Sequence, residues 1–335
     1  MLKIIPLIIC LILWSNIAKS SDFENGLAAY DRADYQTALG TFTRLAEQGH
    51  AASQYKLAVM LSKGFGIEKN PSEAFSWYKK AAEQGASNAQ YNLAHLYFKG
   101  IGVEQNYTQA FNFFKKSAAQ GNANAQYNLG QMHYKGLSVE KSIPNAIKYF
   151  REAAEHGHKD AQYNLGSLYH SGTHVQQDYQ KAIYWYKRAS YQDQLDAIFN
   201  LGTMFSNGYG VDQSYSNALT FYQLAADKNH NAAQFNLGYM YYNGLGVDQS
   251  YKEAIKWYNL AANQGHPIAQ YNLGTMLFNG YGIEQDYLSA YMWLLTAKVS
   301  GKKSVEEALN LAASKLSDSE ISKARKQSEQ WLERY

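Results

Sequence analysis

Apolar and polar positions recur along this chain at a fixed interval. The segment Ala89-Gln-Tyr-Asn-Leu-Ala94 returns as Ala125-Gln-Tyr-Asn-Leu-Gly130, a step of 36 residues. Further copies begin at Ala161, Ala197, Ala233 and Ala269, and a diverged first copy begins at Ser53. Self-similarity at such a period predicts an array of stacked supersecondary units, each of which buries its apolar face against its neighbours.

Each period predicts two helices. Helix A of the second copy is expected from Ser87 to Lys99, where apolar residues follow helical spacing, and Gly100 is expected to end it. Helix B follows a short connection and a residue that can cap its first turn. The cap position holds Asn70, Asn106, Ser142, Asp178, Ser214, Ser250 and Asp286. Glu73 and Glu253 suggest reciprocal capping boxes at two of these starts.

The pattern therefore predicts an all-α fold, an α-solenoid of helix–loop–helix repeats. Seven full repeats occupy residues 51–302. Residues 21–50 resemble one more helix pair with a shortened connection, and residues 303–335 carry two further helix starts with more charge. Both segments are expected to cap the ends of the array, since terminal repeats lack a neighbour on one side.

Residues 1–20 have the pattern of a signal peptide. Lys3 precedes an apolar run from Ile4 to Trp14, and Ala18 and Ser20 stand at the −3 and −1 positions of a cut before Ser21. The run is shorter than the roughly 20 residues that span a bilayer. We expect an exported protein, periplasmic or secreted, without a stable membrane span after cleavage. An uncleaved anchor is the alternative.

Composition narrows the candidate chemistry. The chain of 335 residues has a formal net charge of +3, and without Lys3 and Lys19 the basic count of 31 falls to 29 against 28 acidic residues. A net charge of +1 argues against nucleic acid as a partner. The only cysteine is Cys10, inside the proposed signal peptide. No cofactor and no metal are expected, because cysteines and paired acids are missing beside the histidines.

The repeats resemble a known family. The string Ala233-Gln-Phe-Asn-Leu-Gly-Tyr-Met-Tyr-Tyr-Asn-Gly-Leu-Gly-Val247, followed by Tyr251-Lys-Glu-Ala254, is similar to a Sel1-like repeat, a relative of tetratricopeptide repeats. The resemblance implies a right-handed α-solenoid with a concave face, used as a scaffold or adaptor for other proteins. Some exported bacterial members of the family act in host interaction or envelope signalling. Ser138 and His174 replace a loop glycine of the pattern, which predicts altered loops there.

Binding residues are expected where the copies differ, because core positions repeat in every copy. Two positions of helix A, four and seven residues after its recurring aromatic, vary most. The matching face lines the groove in tetratricopeptide repeats. We refer to these twelve residues as the variable face: His95, Phe98, Gln131, Tyr134, Ser167, His170, Thr203, Ser206, Tyr239, Tyr242, Thr275 and Phe278. The alternative is that Phe98, Tyr134, Tyr242 and Phe278 only pack against the adjacent loop.

An enzymatic role has little support, and no catalytic residue is assigned. Cysteine-rich relatives have been linked to β-lactam hydrolysis, but their cysteine pairs are missing here. The Ser-x-x-Lys pattern occurs at Ser53–Lys56 and Ser76–Lys79 without the companion motifs of such enzymes. The histidines of the middle copies are expected to be exposed surface residues: His133, His156, His158, His170 and His174.

Two functions therefore remain open. The first is a scaffold that binds a protein partner in its groove, the second a module that stacks tyrosines on the sugar rings of a cell-wall glycan or peptidoglycan.

Overall fold

The computed structural model describes residues 21–297 and 303–334, which form eighteen helices and no strand. The signal peptide expected at residues 1–20 lies outside the described residues. So does Gly301, at which the glycine pattern of the repeats predicts the end of the last helix B. Within those described ranges, no helix combines the length and apolarity that a membrane crossing requires.

Helices of type A and type B alternate along the chain. An opening pair consists of α1 (residues 21–31) and α2 (Tyr35–Glu47). The A helices are α3 (Ala51–Lys63), α5 (Ser87–Lys99), α7 (Ala123–Lys135), α9 (Lys159–Ser171), α11 (Leu195–Asn207), α13 (Asn231–Asn243) and α15 (Pro267–Asn279). The B helices are α4 (Pro71–Glu83), α6 (Tyr107–Ala118), α8 (Ile143–Glu155), α10 (Tyr179–Ser190), α12 (Tyr215–Ala226), α14 (Tyr251–Asn263) and α16 (Tyr287–Ala297). Helices α17 (Lys303–Ala313) and α18 (Asp318–Leu332) follow.

The chain divides into two compact units, Met1–Ala161 and Gln162–Tyr335. In the first unit α4 packs against both α3 and α5, so one B helix lies between two A helices. In the second unit α14 lies in the same way between α13 and α15. Each unit is thus a stack of helix–loop–helix repeats, which confirms the α-solenoid fold predicted from the period.

Helix A ends where the sequence predicts. Gly100 lies in the left-handed region at φ 69°, and its N–H donates to the Leu96 carbonyl over 2.8 Å. Ser138 and His174 stand where other repeats have a second loop glycine, and both adopt the same left-handed conformation, at φ 60° and 64°. The loops therefore keep their backbone shape, and the expected altered loops are not seen. These two side chains carry the strain that glycine avoids.

Helix B begins at the predicted caps. Asn106 Oδ1, for example, accepts from the backbone N–H of Gln109 over 2.9 Å. The two suggested capping boxes are incomplete, because Glu73 accepts from the Asn70 side-chain amide and Glu253 pairs with Lys256. A full capping box forms instead at Ser317 and Glu320, at the start of α18.

The A and B helices approach closely through small residues. A Cβ added to Gly238 in α13 would lie 2.6 Å from the ring of Tyr258 in α14. Ala58 and Ala74 in the first repeat are fully buried at the corresponding contacts. Close packing of this kind explains why only Ala or Gly stands at the Ala58 position of each repeat.

A buried glutamine ties successive repeats together. Gln234, 1% exposed in α13, donates from Nε2 to the Ala226 carbonyl at the end of the preceding helix B. Its Oε1 accepts from Gln264 over 2.6 Å, at the end of helix B of its own repeat. The Ala226 carbonyl also accepts from the Asn229 N–H, so the glutamine adds a second hydrogen bond at this buried helix end and links it to the next helix A.

Candidate functional site

The variable face is only partly open to solvent. Tyr134 on α7 is 49% exposed, and Tyr239 on α13 is 50% exposed. The other ten members of the face are half-buried. Exposed tyrosines on a helix surface are typical anchors for a partner, because they combine a large apolar ring with a polar tip.

Three aromatic members of the face also pack inside their own repeat. Each lies against the first residue of the following helix B, at ring-centroid distances of 5.2 Å for Phe98–Tyr107, 5.2 Å for Tyr242–Tyr251 and 5.3 Å for Phe278–Tyr287. These three rings therefore pack inside the protein to a large extent, as the alternative interpretation of the variable face predicts. Tyr134 differs, since the Lys141 ammonium lies over its ring, 6.0 Å from the ring centre.

Polar members of the face bond to a tyrosine of helix B. The Tyr186 hydroxyl donates to Ser167 Oγ over 3.3 Å and lies 3.5 Å from His170 Nδ1. Tyr222 and Thr203 share a hydrogen bond of 3.2 Å between their hydroxyls. The residues at these positions therefore vary in part because some of them form hydrogen bonds to the tyrosine hydroxyl of helix B in their repeat.

These helix-B tyrosines stay neutral. Burial raises the pKa of Tyr78 and of Tyr186 to about 12, and it raises the pKa of Tyr222 and Tyr258 as well. Their hydroxyls act as hydrogen-bond donors and acceptors at all physiological pH values. These buried tyrosines lie directly under the helix-A residues of the variable face.

The second unit holds a pocket of about 270 Å³ at this face. It opens between α13 and α15, above Tyr258 of α14. Five tyrosines and Asn272 form most of its lining: Tyr239, Tyr242, Tyr258, Tyr271 and Tyr281 are the tyrosines. Asn243, Thr275 and Met276 complete the lining.

The first unit holds a pocket at the corresponding place in its own repeats. It has a volume of about 380 Å³ above Tyr78 of α4, and Asn92 and His95 of α5 line it. Val59, Ser62 and Lys63 of α3 form the other side. Val59 and Ser62 stand 180 residues before Tyr239 and Tyr242, which is five repeats of 36. The same site in the repeat therefore carries Lys63 in the first unit and more tyrosines in the second.

Sequence reasoning missed the asparagine of the recurring motif. Asn272 lines the second-unit pocket beside the Tyr258 hydroxyl, and Asn92 lines the first-unit pocket beside that of Tyr78. Burial raises the pKa of both tyrosines, and a hydrogen bond to the asparagine partly offsets that rise. This asparagine recurs in six of the seven copies, and Lys56 stands at its position in the first. The available signal was its polarity, because an amide between Tyr and Leu has no apolar surface to contribute to a core.

The expectation that the histidines are exposed is wrong for three of the five. His133, His158 and His170 are half-buried, and burial lowers the pKa of each. His158 stacks on Tyr127 with ring centres 4.3 Å apart, while its Nδ1 accepts from the Ala161 N–H. Across the part of the chain that the structure describes, no three His, Cys, Asp or Glu side chains are grouped to hold a metal ion.

Both serines of the Ser-x-x-Lys pattern serve the helices. Ser53 is fully buried and shares a hydrogen bond of 2.8 Å with His50 Nδ1. Ser76 donates to the Ser72 carbonyl one turn earlier, over 3.2 Å. The Ser53 hydroxyl thus bonds to the residue that precedes α3, and the Ser76 hydroxyl bonds within α4.

Comparison with solved structures gives two informative relatives. The c5321 protective antigen of uropathogenic Escherichia coli, which displays an SLR fold, is 35% identical over 95% of this chain and 69% of its own, with a TM-score of 0.82. A Sel1 repeat protein from Oxalobacter formigenes is 32% identical over 72% of this chain and 99% of its own, with a TM-score of 0.65. No curated protein matches the chain.

The family comparison agrees with the period read from the sequence. The sequence model of the Sel1 repeat matches residues 51–85, 87–122, 123–158, 159–194, 195–230, 231–266 and 267–298. These seven matches cover most of the chain and follow the helix pairs described above. This protein therefore belongs to the Sel1 repeat family.

Proposed function

We propose that this protein is an exported, non-enzymatic scaffold that binds a protein partner through its variable face. Sel1 repeat proteins generally serve as scaffolds for protein–protein interaction. The observation that carries the proposal for this chain is the position of Tyr239, which is half-exposed at the edge of a tyrosine-lined pocket. Its helix has nearly the same residues at buried positions as other A helices, but different residues at exposed positions.

Export and the biological setting are part of the same proposal. The signal-peptide pattern of residues 1–20 supports transfer out of the cytoplasm, to the periplasm or the medium. A relative with 35% identity is a protective antigen of uropathogenic strains, which supports a role in host interaction over one in envelope signalling.

Affinity capture followed by mass spectrometry tests the proposed function. The purified protein is exposed to envelope extract and to host secretions, with and without prior digestion of glycans. A protein recovered in both conditions, and lost when Tyr134 or Tyr239 is replaced by alanine, supports the scaffold. Recovery that disappears with glycan digestion would support the glycan-binding alternative.

A further inference from the structure

The second-unit pocket differs from its counterpart in the first unit by its lack of charge. None of its nine lining residues is Asp, Glu, Lys, Arg or His, whereas Lys63 and His95 line the counterpart. A charged group entering the second-unit pocket would leave water for aromatic rings and amides with no counter-ion. Such a transfer is strongly unfavourable, so the pocket selects against ionised groups.

The rings around this pocket are held at angles to one another. Tyr251 stacks on Tyr281 with ring centres 5.2 Å apart, so that one face of Tyr281 is covered. Tyr242 is tilted by 55° to Tyr251 and by 54° to Tyr281. A guest ring between them meets the face of one tyrosine and the edge of another, an arrangement that aromatic pairs favour. A sugar ring, by contrast, stacks best on an open and flat aromatic face.

The pocket also carries polar groups suited to one aromatic residue and its peptide bonds. Its volume of about 270 Å³ matches a single large side chain more closely than a longer segment. The Asn272 amide and the Tyr258 hydroxyl lie at its inner end, and Tyr239 and Tyr281, 50% and 40% exposed, stand at its rim. The inner groups can bond to a phenol hydroxyl, and the rim can contact the flanking backbone.

We infer that this pocket binds an uncharged aromatic side chain, phenylalanine or tyrosine, presented by an extended segment of the protein partner. The inference rests on the proposed function, because it names the chemistry that one part of the variable face recognises. It also predicts that the two pockets select different side chains, since Ser62 makes the counterpart pocket more polar and Lys63 gives it a positive charge.

The test uses the full chain and four small probes: the N-acetyl amides of phenylalanine, tyrosine, lysine and glutamate. Saturation-transfer NMR gives a Kd for each. The two aromatic probes are expected to bind in the millimolar range and at least fivefold more tightly than the two charged ones. Equal affinity for charged and aromatic probes, or tighter binding of the methyl glycoside of N-acetylglucosamine, would overturn the inference.

Variants copied from the first repeat give matched controls. Tyr242→Ser and Asn243→Lys install the residues that the chain itself carries at Ser62 and Lys63, so the repeat fold is expected to accept them. Tyr242→Ser should weaken the phenylalanine probe at least fivefold, and Asn243→Lys should raise affinity for the glutamate probe. Unchanged affinities in both variants would contradict the inference.

The outcome separates this inference from the proposed function. Tyr134→Ala changes the variable face outside this pocket, so it should leave the affinity of every probe unchanged. A captured partner that depends on Tyr134, together with no aromatic probe bound, would overturn the pocket chemistry and leave the scaffold standing. Aromatic probes bound at Tyr242, with no protein captured, would support the pocket chemistry and contradict the scaffold.

Discussion

Gln120 donates a side-chain hydrogen bond of 2.8 Å to Gln90 Oε1, at the junction between two repeats. Gln90, 5% exposed, donates in turn to the Ala82 carbonyl at the end of the preceding helix B. Gln120 also donates to the Gly85 carbonyl over 3.0 Å. The pair therefore joins three helix ends, and its inner member, Gln90, is a buried polar group that is costly to leave unsatisfied.

Gln90→Ile is expected to destabilise the first unit by about 1 kcal/mol, because the Ala82 carbonyl and the Gln120 amide each lose one hydrogen bond and keep another. The fifth repeat offers a matched control, with Ile198 and Lys228 at the same two positions and Lys228 paired with Asp193. The double change Gln90→Ile with Gln120→Lys should cost less than Gln90→Ile alone. Chemical denaturation measures both, and simple addition of the two single effects would contradict this coupling.

Acid is expected to weaken the second unit through His266. Its Nδ1 accepts from the Ala269 N–H over 3.2 Å, its ring stacks on Phe235 at 4.5 Å, and burial lowers its pKa. Below about pH 6.5 the unfolded chain takes up a proton that the folded chain binds less readily. The unfolded state then holds more protons, so the stability falls as the pH is lowered.

His266→Asn is the matched variant for this pH effect. Asn122 caps the same position in the third repeat and accepts from the Ala125 N–H over 3.0 Å. The drop in denaturation midpoint from pH 7.5 to pH 5 should be smaller in His266→Asn than in the original protein. An equal drop in the two proteins would show that His266 is not a source of the acid sensitivity.

Two glycine substitutions should act in opposite directions. Gly238→Ala places a Cβ 2.6 Å from the Tyr258 ring, and overpacking of this kind costs about 1–3 kcal/mol. Gly40→Ala, inside α2, meets nothing within 4 Å and should stabilise by about 0.5–1 kcal/mol through helix propensity. Thermal unfolding of the two variants measures both effects. A Gly238→Ala protein as stable as the original would mean that α13 and α14 are less closely packed than described.

The signal-peptide pattern predicts a mature amino terminus near Ser21. Amino-terminal sequencing of the protein recovered from the periplasm and the medium measures it. Intact Met1 on soluble protein in the cytosol would contradict export.

The repeat period alone predicts the first and last residue of some helices correctly. The bounds expected for helix A of the second copy are those of α5 (Ser87–Lys99), because a glycine fixes its end and the period fixes its phase. The glutamine pairs could not be read in the same way, since two polar residues 30 positions apart give no local signal. The paired change to Ile198 and Lys228 was the available clue.

The candidate site was predictable only in outline. Variation between copies located the right helix surface but could not separate exposed rings from packed ones. Phe98 and Phe278 lie against the first ring of the next helix, whereas Tyr134 and Tyr239 remain half-exposed. Whether a ring is packed or exposed depends on how each loop packs against the helices, which neither periodicity nor composition predicts.

The most direct test of the scaffold is the partner affinity of three single alanine variants. Tyr134→Ala and Tyr239→Ala remove exposed rings of the variable face, and Tyr184→Ala removes a ring that is 51% exposed on a B helix. All three should unfold near the temperature of the original protein, because their rings are half-exposed. Each of the first two should weaken binding of the captured partner by about 2 kcal/mol if it is an anchor, and Tyr184→Ala should leave it unchanged. Unchanged affinity in both Tyr134→Ala and Tyr239→Ala, or an equal loss in Tyr184→Ala, would contradict the variable face as the binding surface.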